Sequence, residues 1–230
     1  MTTIPGNLQH VRARIATACQ RAGRGVEEVT LLAVSKTFGA DAVRAAAAAG
    51  QRAFGENYIQ EGVEKIAALR DLGLMWHCIG PIQSNKTRLV AEHFDWVHTV
   101  DRLKIAERLS AQRPADRPPL NVCIQVNIDG GANKSGVAPG EALALARAVA
   151  ALPQLKLRGL MSIPEIAPDF EAARAVHAGA RALFDQLNAD GLVLDTLSMG
   201  MSDDLEAAIA AGSTMVRVGT AIFGSRAPKQ

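Results

Sequence analysis

Short apolar runs alternate with longer amphipathic stretches along the whole chain of 230 residues. Each run has the length of a buried strand, many are rich in β-branched residues, and a polar or Gly-containing turn follows. We predict strands at Val29–Lys36, Arg52–Glu56, Met75–Gly80, Trp96–Val100, Asn121–Asn127, Leu157–Ile163, Thr196–Gly200 and Met215–Gly219. Such continuous apolar runs are typical of strands in a parallel sheet, because both faces of that sheet are covered by helices.

The stretches between these runs predict helices, and one more helix precedes the first strand. We predict them at Gln9–Ala22, Asp41–Ala49, Tyr58–Arg70, Asn85–His93, Leu103–Ala111, Glu141–Leu152, Phe170–Leu187 and Asp203–Ala211, the last closed by Gly212. Strict alternation indicates parallel strands joined by crossover helices. Eight such units predict a (β/α)8 TIM barrel with an extra N-terminal helix, as a single domain over residues 1–230.

An open, doubly wound sheet is the alternative fold. It would carry a Gly-rich fingerprint after its first strand. Here Lys36-Thr37-Phe38-Gly39 follows that strand instead, and this favours the closed barrel.

The composition and charge of the chain argue against several classes of function. Hydrophobic residues make up 48% of the chain and allow a large core, while a net charge of +2 gives no reason to expect nucleic acid or an anionic membrane as partner. The cysteines, Cys19, Cys78 and Cys123, lack the spacing of a disulfide framework or a zinc site. His77, His93 and His98 share no helical face, so no metal site is expected. The segment from Met1 to His10 has no apolar signal region, and no run is long enough to span a membrane. We expect a cytoplasmic protein, and we expect it to be a monomer.

Lys36 is the first candidate for chemistry, because TIM barrels place their active sites at the carboxyl ends of the strands. A partly desolvated Lys loses preference for its charged form, and its neutral amine forms Schiff bases with carbonyl compounds. The alternative is a Lys that leaves the core and reaches water.

Arg217 and the segments around it are the second candidate. Alternation along the last strand points Arg217 into the barrel, where a guanidinium needs a carboxylate, a phosphate or a ring nitrogen. Ser198, Gly200 and Gly219-Thr220 form turns suited to phosphate, and Asp203 with Glu206 predicts a capping box on the following helix. An internal ion pair and an ordinary capped helix remain alternatives. A Lys, an inward Arg and a phosphate turn together suggest pyridoxal phosphate.

Six segments resemble the pyridoxal phosphate homeostasis protein family, whose members are single barrels related to the N-terminal domain of alanine racemase. The segments are 32–36, 54–58, 77–86, 159–162, 198–204 and 217–224, and the resemblance extends from about Val11 to Ser225.

The resemblance implies that Lys36 carries pyridoxal 5′-phosphate as an internal aldimine. It also implies phosphate contacts from Ser198, Gly200, Gly219 and Thr220, Arg217 near the pyridine nitrogen, and Asn57 and His77 near the ring. The implied role is vitamin B6 homeostasis without catalytic residues, in which apo-enzymes receive the cofactor.

Two enzymatic alternatives stay open. A pyridoxal-phosphate-dependent racemase needs a second base, which alanine racemases take from a Tyr in a second domain. Tyr58 is the only tyrosine, so we expect at most weak racemase activity. A Schiff-base enzyme acting on a phosphorylated aldehyde or ketone through Lys36 is the other. The loop Gly130–Gly136 resembles a P-loop, but Asn133 stands where Gly is required. Lys134 in that loop is either solvated or lies above the site and briefly holds the cofactor.

Overall fold

A computed structural model describes residues 3–132 and 134–225; Asn133 of the predicted loop, like residues 1–2 and 226–230, lies outside that part. Its strands are β1 (Thr30–Val34), β2 (Ala53–Glu56), β3 (Met75–Cys78), β4 (Trp96–Val100), β5 (Leu120–Gln125), β6 (Leu155–Met161), β7 (Thr196–Ser198) and β8 (Met215–Val218). Neighbouring strands are parallel, and β8 pairs with β1 to close the barrel. The TIM barrel prediction is therefore confirmed.

Helices surround the barrel in the predicted order. They are α1 (Ile4–Arg21), α2 (Ala40–Ala48), α3 (Ile59–Ala68), α4 (Thr87–His93), α5 (Leu103–Gln112), α6 (Ala142–Ala150), α7 (Phe170–Ala189), α8 (Leu205–Ala210) and α9 (Thr220–Phe223). The extra helix α1 is confirmed, and it begins earlier than predicted because the Thr3 side chain accepts the Gly6 N–H. The short α9 was not predicted, since four residues carry no readable helical period.

The main core lies between the barrel and its helices. Leu8, Val11 and Ile15 recur at helical spacing on α1 and are buried. Inside the barrel, Trp96 packs with Cys123 and Met161. Arg158 lies over the Trp96 ring at 4.5 Å, and its guanidinium pairs with an Asp195 carboxylate oxygen at 2.8 Å.

The predicted capping box on α8 is wrong. Asp204 rather than Asp203 is the N-cap residue, and its Oδ1 accepts the Met201 N–H at 2.7 Å. Glu206 pairs with Arg14 of α1 at 2.7 Å instead of turning back to the cap. The competing partner lies 192 residues away in sequence, which local spacing does not reveal.

Several strands were predicted to extend too far at their carboxyl ends. Lys36, Gly80, Gly200 and Gly219 follow their strands rather than ending them. Cys19, Cys78 and Cys123 are buried and unbridged. Within residues 3–132 and 134–225, no helix combines the length and apolar character that crossing a bilayer requires. No group of three potential metal-ligating side chains occurs in the same ranges.

Candidate functional site

A cavity of about 230 Å³ lies at the carboxyl ends of the strands. Lys36 enters it after β1, Asn57 after β2, and Arg217 from β8, followed by Gly219 and Thr220. Apolar side chains complete much of the wall: Val34, Phe38, Ile79, Ile163 and Met201. The cavity thus brings together two cationic side chains, an amide and a glycine-containing turn from distant parts of the chain.

A tight turn directs Lys36 away from the strand axis. The Ser35 N–H still follows the β-ladder and donates to Gly55 O at 3.0 Å. Thr37 then adopts a φ of 69°, which is unfavourable for a β-branched residue. Its N–H donates to Glu61 Oε1 at 2.7 Å. Lys36, between these two residues, is half-buried and lines the cavity.

Behind this turn lies a buried charged group, which we name the Lys65 cluster: Ser35, Glu56, Glu61 and Lys65. Lys65 Nζ donates to Ser35 O at 2.8 Å, to Glu56 Oε1 at 2.8 Å and to Glu61 Oε1 at 2.5 Å. The Ser35 hydroxyl donates to Glu56 Oε1 at 2.6 Å. Burial raises the pKa of Glu56, although the hydrogen bonds from Lys65 and Ser35 oppose the shift.

Arg217 points into the barrel, as predicted, and is 4% exposed. Its Nη1 donates to Ser198 Oγ at 2.8 Å, and its Nη2 donates to Ser162 O at 2.9 Å. Burial lowers the pKa of Arg217 to about 10, partly offset by Asp204, so the guanidinium stays protonated at neutral pH. A hydroxyl and a carbonyl, and not a carboxylate, therefore fix its orientation.

Two histidines extend this contact into the barrel, and we name Arg217, Ser198, His98 and His77 the lumen chain. His98 Nδ1 lies 2.9 Å from Ser198 Oγ, and His98 Nε2 lies 2.9 Å from His77 Nδ1. A guanidinium only donates, so the Ser198 hydroxyl accepts from Arg217, and the contacts of His98 with Ser198 and with His77 each pair one donor with one acceptor. Burial lowers the pKa of His77 to about 3, with a smaller effect of Arg158, and lowers that of His98 well below its ordinary value. Both imidazoles are therefore neutral.

The predicted site residues divide into two sets. Lys36, Asn57, Arg217, Gly219 and Thr220 line the cavity. The others lie behind its wall: His77, Ser198 and Gly200.

Each of the three residues behind the wall has a local reason for its place. His77 stacks on Trp96, with ring centroids 5.1 Å apart, and Ser198 Oγ is engaged by Arg217 and His98. Gly200 has a φ of 95°, and a Cβ there would lie 2.5 Å from the Ala208 Cβ. Gly200 thus allows α8 to pack closely, and direct ligand contacts from these three residues stay predictions.

Asn57, one of the residues that line the cavity, carries an unsatisfied acceptor. Its Oδ1 is buried and, among the residues that the structure describes, has no hydrogen-bond partner. A Cβ on Gly80 would lie 2.1 Å from Asn57 O, so only a glycine there lets the two loops approach. A buried amide oxygen without a partner is unfavourable. The site therefore fits a ligand that carries a hydrogen-bond donor and negative charge.

Comparison with known proteins agrees with this arrangement. The family model described as alanine racemase, N-terminal domain, matches residues 6–227. A pyridoxal phosphate homeostasis protein of Pseudomonas aeruginosa is 63% identical over 226 residues, which cover 98% of this chain and 97% of the relative. The chain belongs to the pyridoxal phosphate homeostasis protein family. A relative of that name from Escherichia coli is 58% identical over 236 residues, covering 98% of each chain.

Comparison with solved structures shows that this chain is similar to other proteins in its fold as well as in its sequence. PipY of Synechococcus elongatus without PLP has 40% sequence identity and a TM-score of 0.86, covering 96% of this chain and 100% of PipY. PipY with PLP bound, also 40% identical, has a TM-score of 0.80 and covers 91% and 100%. An alanine racemase of Clostridium difficile, at 17% identity and a TM-score of 0.72, shares the barrel fold over 97% of this chain and 58% of that one.

In this family member, the loop after β7 brings two more residues of the segment 198–204 to the site. Ser202 and Asp203 line the cavity. Arg14 of α1 donates to Ser202 O at 2.9 Å, and Asp204 Oδ2 lies 2.9 Å from His177 Nε2 on α7. Burial acts to raise the pKa of Asp204, but the hydrogen bonds from His177 and the Met201 N–H lower it overall. Two outer helices thus fix this edge of the cavity.

Proposed function

We propose that this chain binds pyridoxal 5′-phosphate, covalently through Lys36, and serves vitamin B6 homeostasis inside the cell. One observation carries the proposal: a single cavity holds the Lys36 amine, the buried Arg217 guanidinium and the Gly219-Thr220 turn. The PLP-bound structure of PipY, at 40% identity, supports the same ligand. Apo-enzymes are the recipients we expect.

Each lining residue would meet one part of the ligand. Lys36 Nζ would join the aldehyde carbon, and the protonated Arg217 would donate to the pyridine nitrogen. The backbone of Gly219 and Thr220 begins the short helix α9 after β8. Loops after the last two strands, with a short extra helix, are a frequent phosphate site in TIM barrels. The Asn57 side chain would gain the partner that its Oδ1 lacks.

Arg217 supports holding the cofactor rather than using it in turnover. Pyridoxal phosphate supplies an aldehyde and a ring that accepts electrons when its nitrogen is protonated. A guanidinium whose pKa of about 10 keeps it charged at neutral pH disfavours that protonation. Racemisation also needs an acid/base group on each face of the substrate. Tyr58 is 52% exposed and is not among the residues that line the cavity, which supports at most weak racemase activity.

The decisive experiment adds pyridoxal phosphate, reduces with borohydride and maps the modified peptide. We expect a visible absorption band before reduction, modification of Lys36, and loss of both in Lys36→Ala. Lys104→Ala, at an exposed position of α5, is the matched control and should retain both. A colourless protein that binds sugar phosphates would overturn the proposal in favour of a Schiff-base enzyme. Loss of α-deuterium from amino acids at the rate of a dedicated racemase would overturn the non-enzymatic role.

Arg217→Glu tests the ring contact separately. Replacing the guanidinium by a carboxylate removes the donor and places a negative charge against an electron-rich nitrogen. We expect weaker cofactor binding and a shifted absorption band. Unchanged affinity together with an unchanged spectrum would remove Arg217 from this role.

A further inference from the structure

Both neighbours of Lys36 are tied to the same ion pair on α3. On one side, Ser35 O accepts from Lys65 Nζ at 2.8 Å. On the other, the Thr37 N–H donates to Glu61 Oε1 at 2.7 Å. Glu61 and Lys65 are one helical turn apart and contact each other at 2.5 Å. Both flanks of the lysine are therefore held from one short stretch of helix.

Glu56 fixes this pair against the barrel. Its carboxylate is 0% exposed and accepts from Lys65 at 2.8 Å and from the Ser35 hydroxyl at 2.6 Å. Since Glu56 lies in β2 next to β1, Lys65 is tied to both strands. Glu56, Glu61 and Lys65 do not line the cavity, and the contacts of Lys65 and Glu61 with the turn go to the backbone of Ser35 and Thr37.

The turn that these contacts hold is strained. Thr37 has a φ of 69°, and β-branched residues seldom adopt a positive φ. Strained backbone persists only where its surroundings hold it, and such sites concentrate where function needs a fixed geometry. Thr37 is exposed, so packing does little to hold it; two hydrogen bonds hold the turn, from the Phe38 N–H to Ser35 O at 3.1 Å and from the Thr37 N–H to Glu61.

We propose that Glu61 and Lys65 are positioning residues, which hold the Ser35–Thr37 turn so that the Lys36 amine meets the aldehyde of bound pyridoxal phosphate. This inference rests on the proposed function. In the covalent step, the nitrogen lone pair of the neutral amine adds to the aldehyde carbon. The carbon–oxygen bond then breaks, both amine protons leave with that oxygen as water, and a carbon–nitrogen double bond remains.

The proposal predicts a selective loss. In the proposed function, the phosphate and ring contacts come from Arg217, Gly219, Thr220 and Asn57, which line the cavity outside the Ser35–Thr37 turn. Disturbing the turn should therefore weaken binding of the aldehyde while leaving binding of an analogue without an aldehyde nearly unchanged. If the Lys65 cluster only supported the fold, disrupting it would weaken the binding of both ligands equally.

The experiment compares the Kd of pyridoxal 5′-phosphate with that of pyridoxine 5′-phosphate, an alcohol that cannot condense with an amine. In Glu61→Ala, we expect about tenfold weaker binding of the aldehyde and less than about twofold change for the alcohol, because only the condensation depends on lysine placement. Glu61→Gln retains an acceptor oxygen for the Thr37 N–H and should recover much of the loss. Glu64→Ala, on the exposed side of α3, is the matched control and should change neither Kd.

Thr37→Pro disturbs the same turn while leaving the Glu61 and Lys65 side chains in place, because proline has no N–H to donate to Glu61 and fixes a negative φ. It should show the same selective loss, and it provides the test if Glu61→Ala does not fold. Equal weakening of both ligands, or an unchanged ratio of the two Kd values, would overturn the positioning role. Failure of the wild-type protein to bind the aldehyde covalently would overturn the proposed function instead, so the two failures are distinguishable.

Discussion

The two cationic side chains of the cavity are supported in opposite ways. The Lys65 cluster, between the sheet and α3, binds the backbone on both sides of Lys36. The lumen chain, inside the barrel, binds the guanidinium of Arg217 itself. Backbone contacts on both sides of a residue fix where its side chain begins, which suits a group proposed to form and break a covalent bond. A group that only donates hydrogen bonds is best held by its own donor atoms.

The two supports also differ in charge. The Lys65 cluster contains paired, buried ions, whereas the lumen chain carries one cation backed by neutral imidazoles. Removing one partner of a buried ion pair is strongly destabilising, because the other charge stays buried and unpaired. Removing a neutral member of the lumen chain costs only its hydrogen bonds. Mutations in the two regions should therefore differ in size as well as in kind.

Lys65→Met should have the largest effect. It leaves the Glu56 carboxylate buried without its ammonium partner, and breaking a buried pair in this way costs about 3–5 kcal/mol. Urea unfolding measures the change, and Lys104→Met, at an exposed position, is the control. A loss no greater than that of the control would show that the cluster contributes little to stability.

Ser198→Ala should have an intermediate effect. It leaves Arg217 Nη1 and His98 Nδ1 without their shared hydroxyl, and unsatisfied buried groups cost about 1–3 kcal/mol each. Because Arg217 loses a fixed orientation, pyridoxal phosphate and pyridoxine phosphate should both bind more weakly. Ser110→Ala removes another buried hydroxyl, away from the cavity, and should leave both affinities unchanged. A selective loss of the aldehyde in Ser198→Ala would contradict the contrast between the two supports.

The neutral histidines predict a pH dependence of stability. The unfolded chain binds a proton at each His below its ordinary pKa of about 6.5, whereas native His77, with a pKa of about 3, does not. Stability should therefore fall as the pH decreases from that ordinary value towards the native one, by about 1.4 kcal/mol per pH unit for each such His. His77→Gln should reduce this slope of the free energy of unfolding by one proton. His10→Gln, at an exposed site, is the control, and equal slopes in the two variants would contradict neutral burial of His77.

Lys36→Met should have the smallest effect on stability. The turn around Lys36 is held by Ser35 and Thr37, whose contacts the substitution leaves in place. We expect a change within about 1 kcal/mol, together with loss of the proposed covalent binding. Thermal unfolding of the protein without ligand measures it, and a loss as large as that of Lys65→Met would show that the side chain itself maintains the turn.

The parts of this molecule that sequence could predict follow from its periodicity. Alternating runs and helices predict the barrel, the rule for strand ends locates Lys36, and period-two alternation points Arg217 inward. The Lys65 cluster was beyond this reasoning, since Glu56 and Lys65 meet only when β2 and α3 pack together. Sequence spacing alone places such residues on separate elements and gives no contact between them.

The same limit applies to the loops around the cavity. Arg14 reaches Ser202 and Glu206 across 188 and 192 residues, so no local pattern assigns it to the edge of the site. The helix α9 is too short to show a helical period, although its first residue lines the cavity. Tertiary contacts, rather than local propensity, decide these details.

The buried cysteines have a consequence for chemical selectivity. Thiolates attack aldehydes, and a protein proposed to store one must keep its own sulfur atoms from competing with the intended amine. Burial raises the pKa of both Cys78 and Cys123 to about 12 and raises that of Cys19 as well. At neutral pH these thiols are protonated and shielded from solvent, so they would not compete with Lys36 for the aldehyde of the proposed ligand.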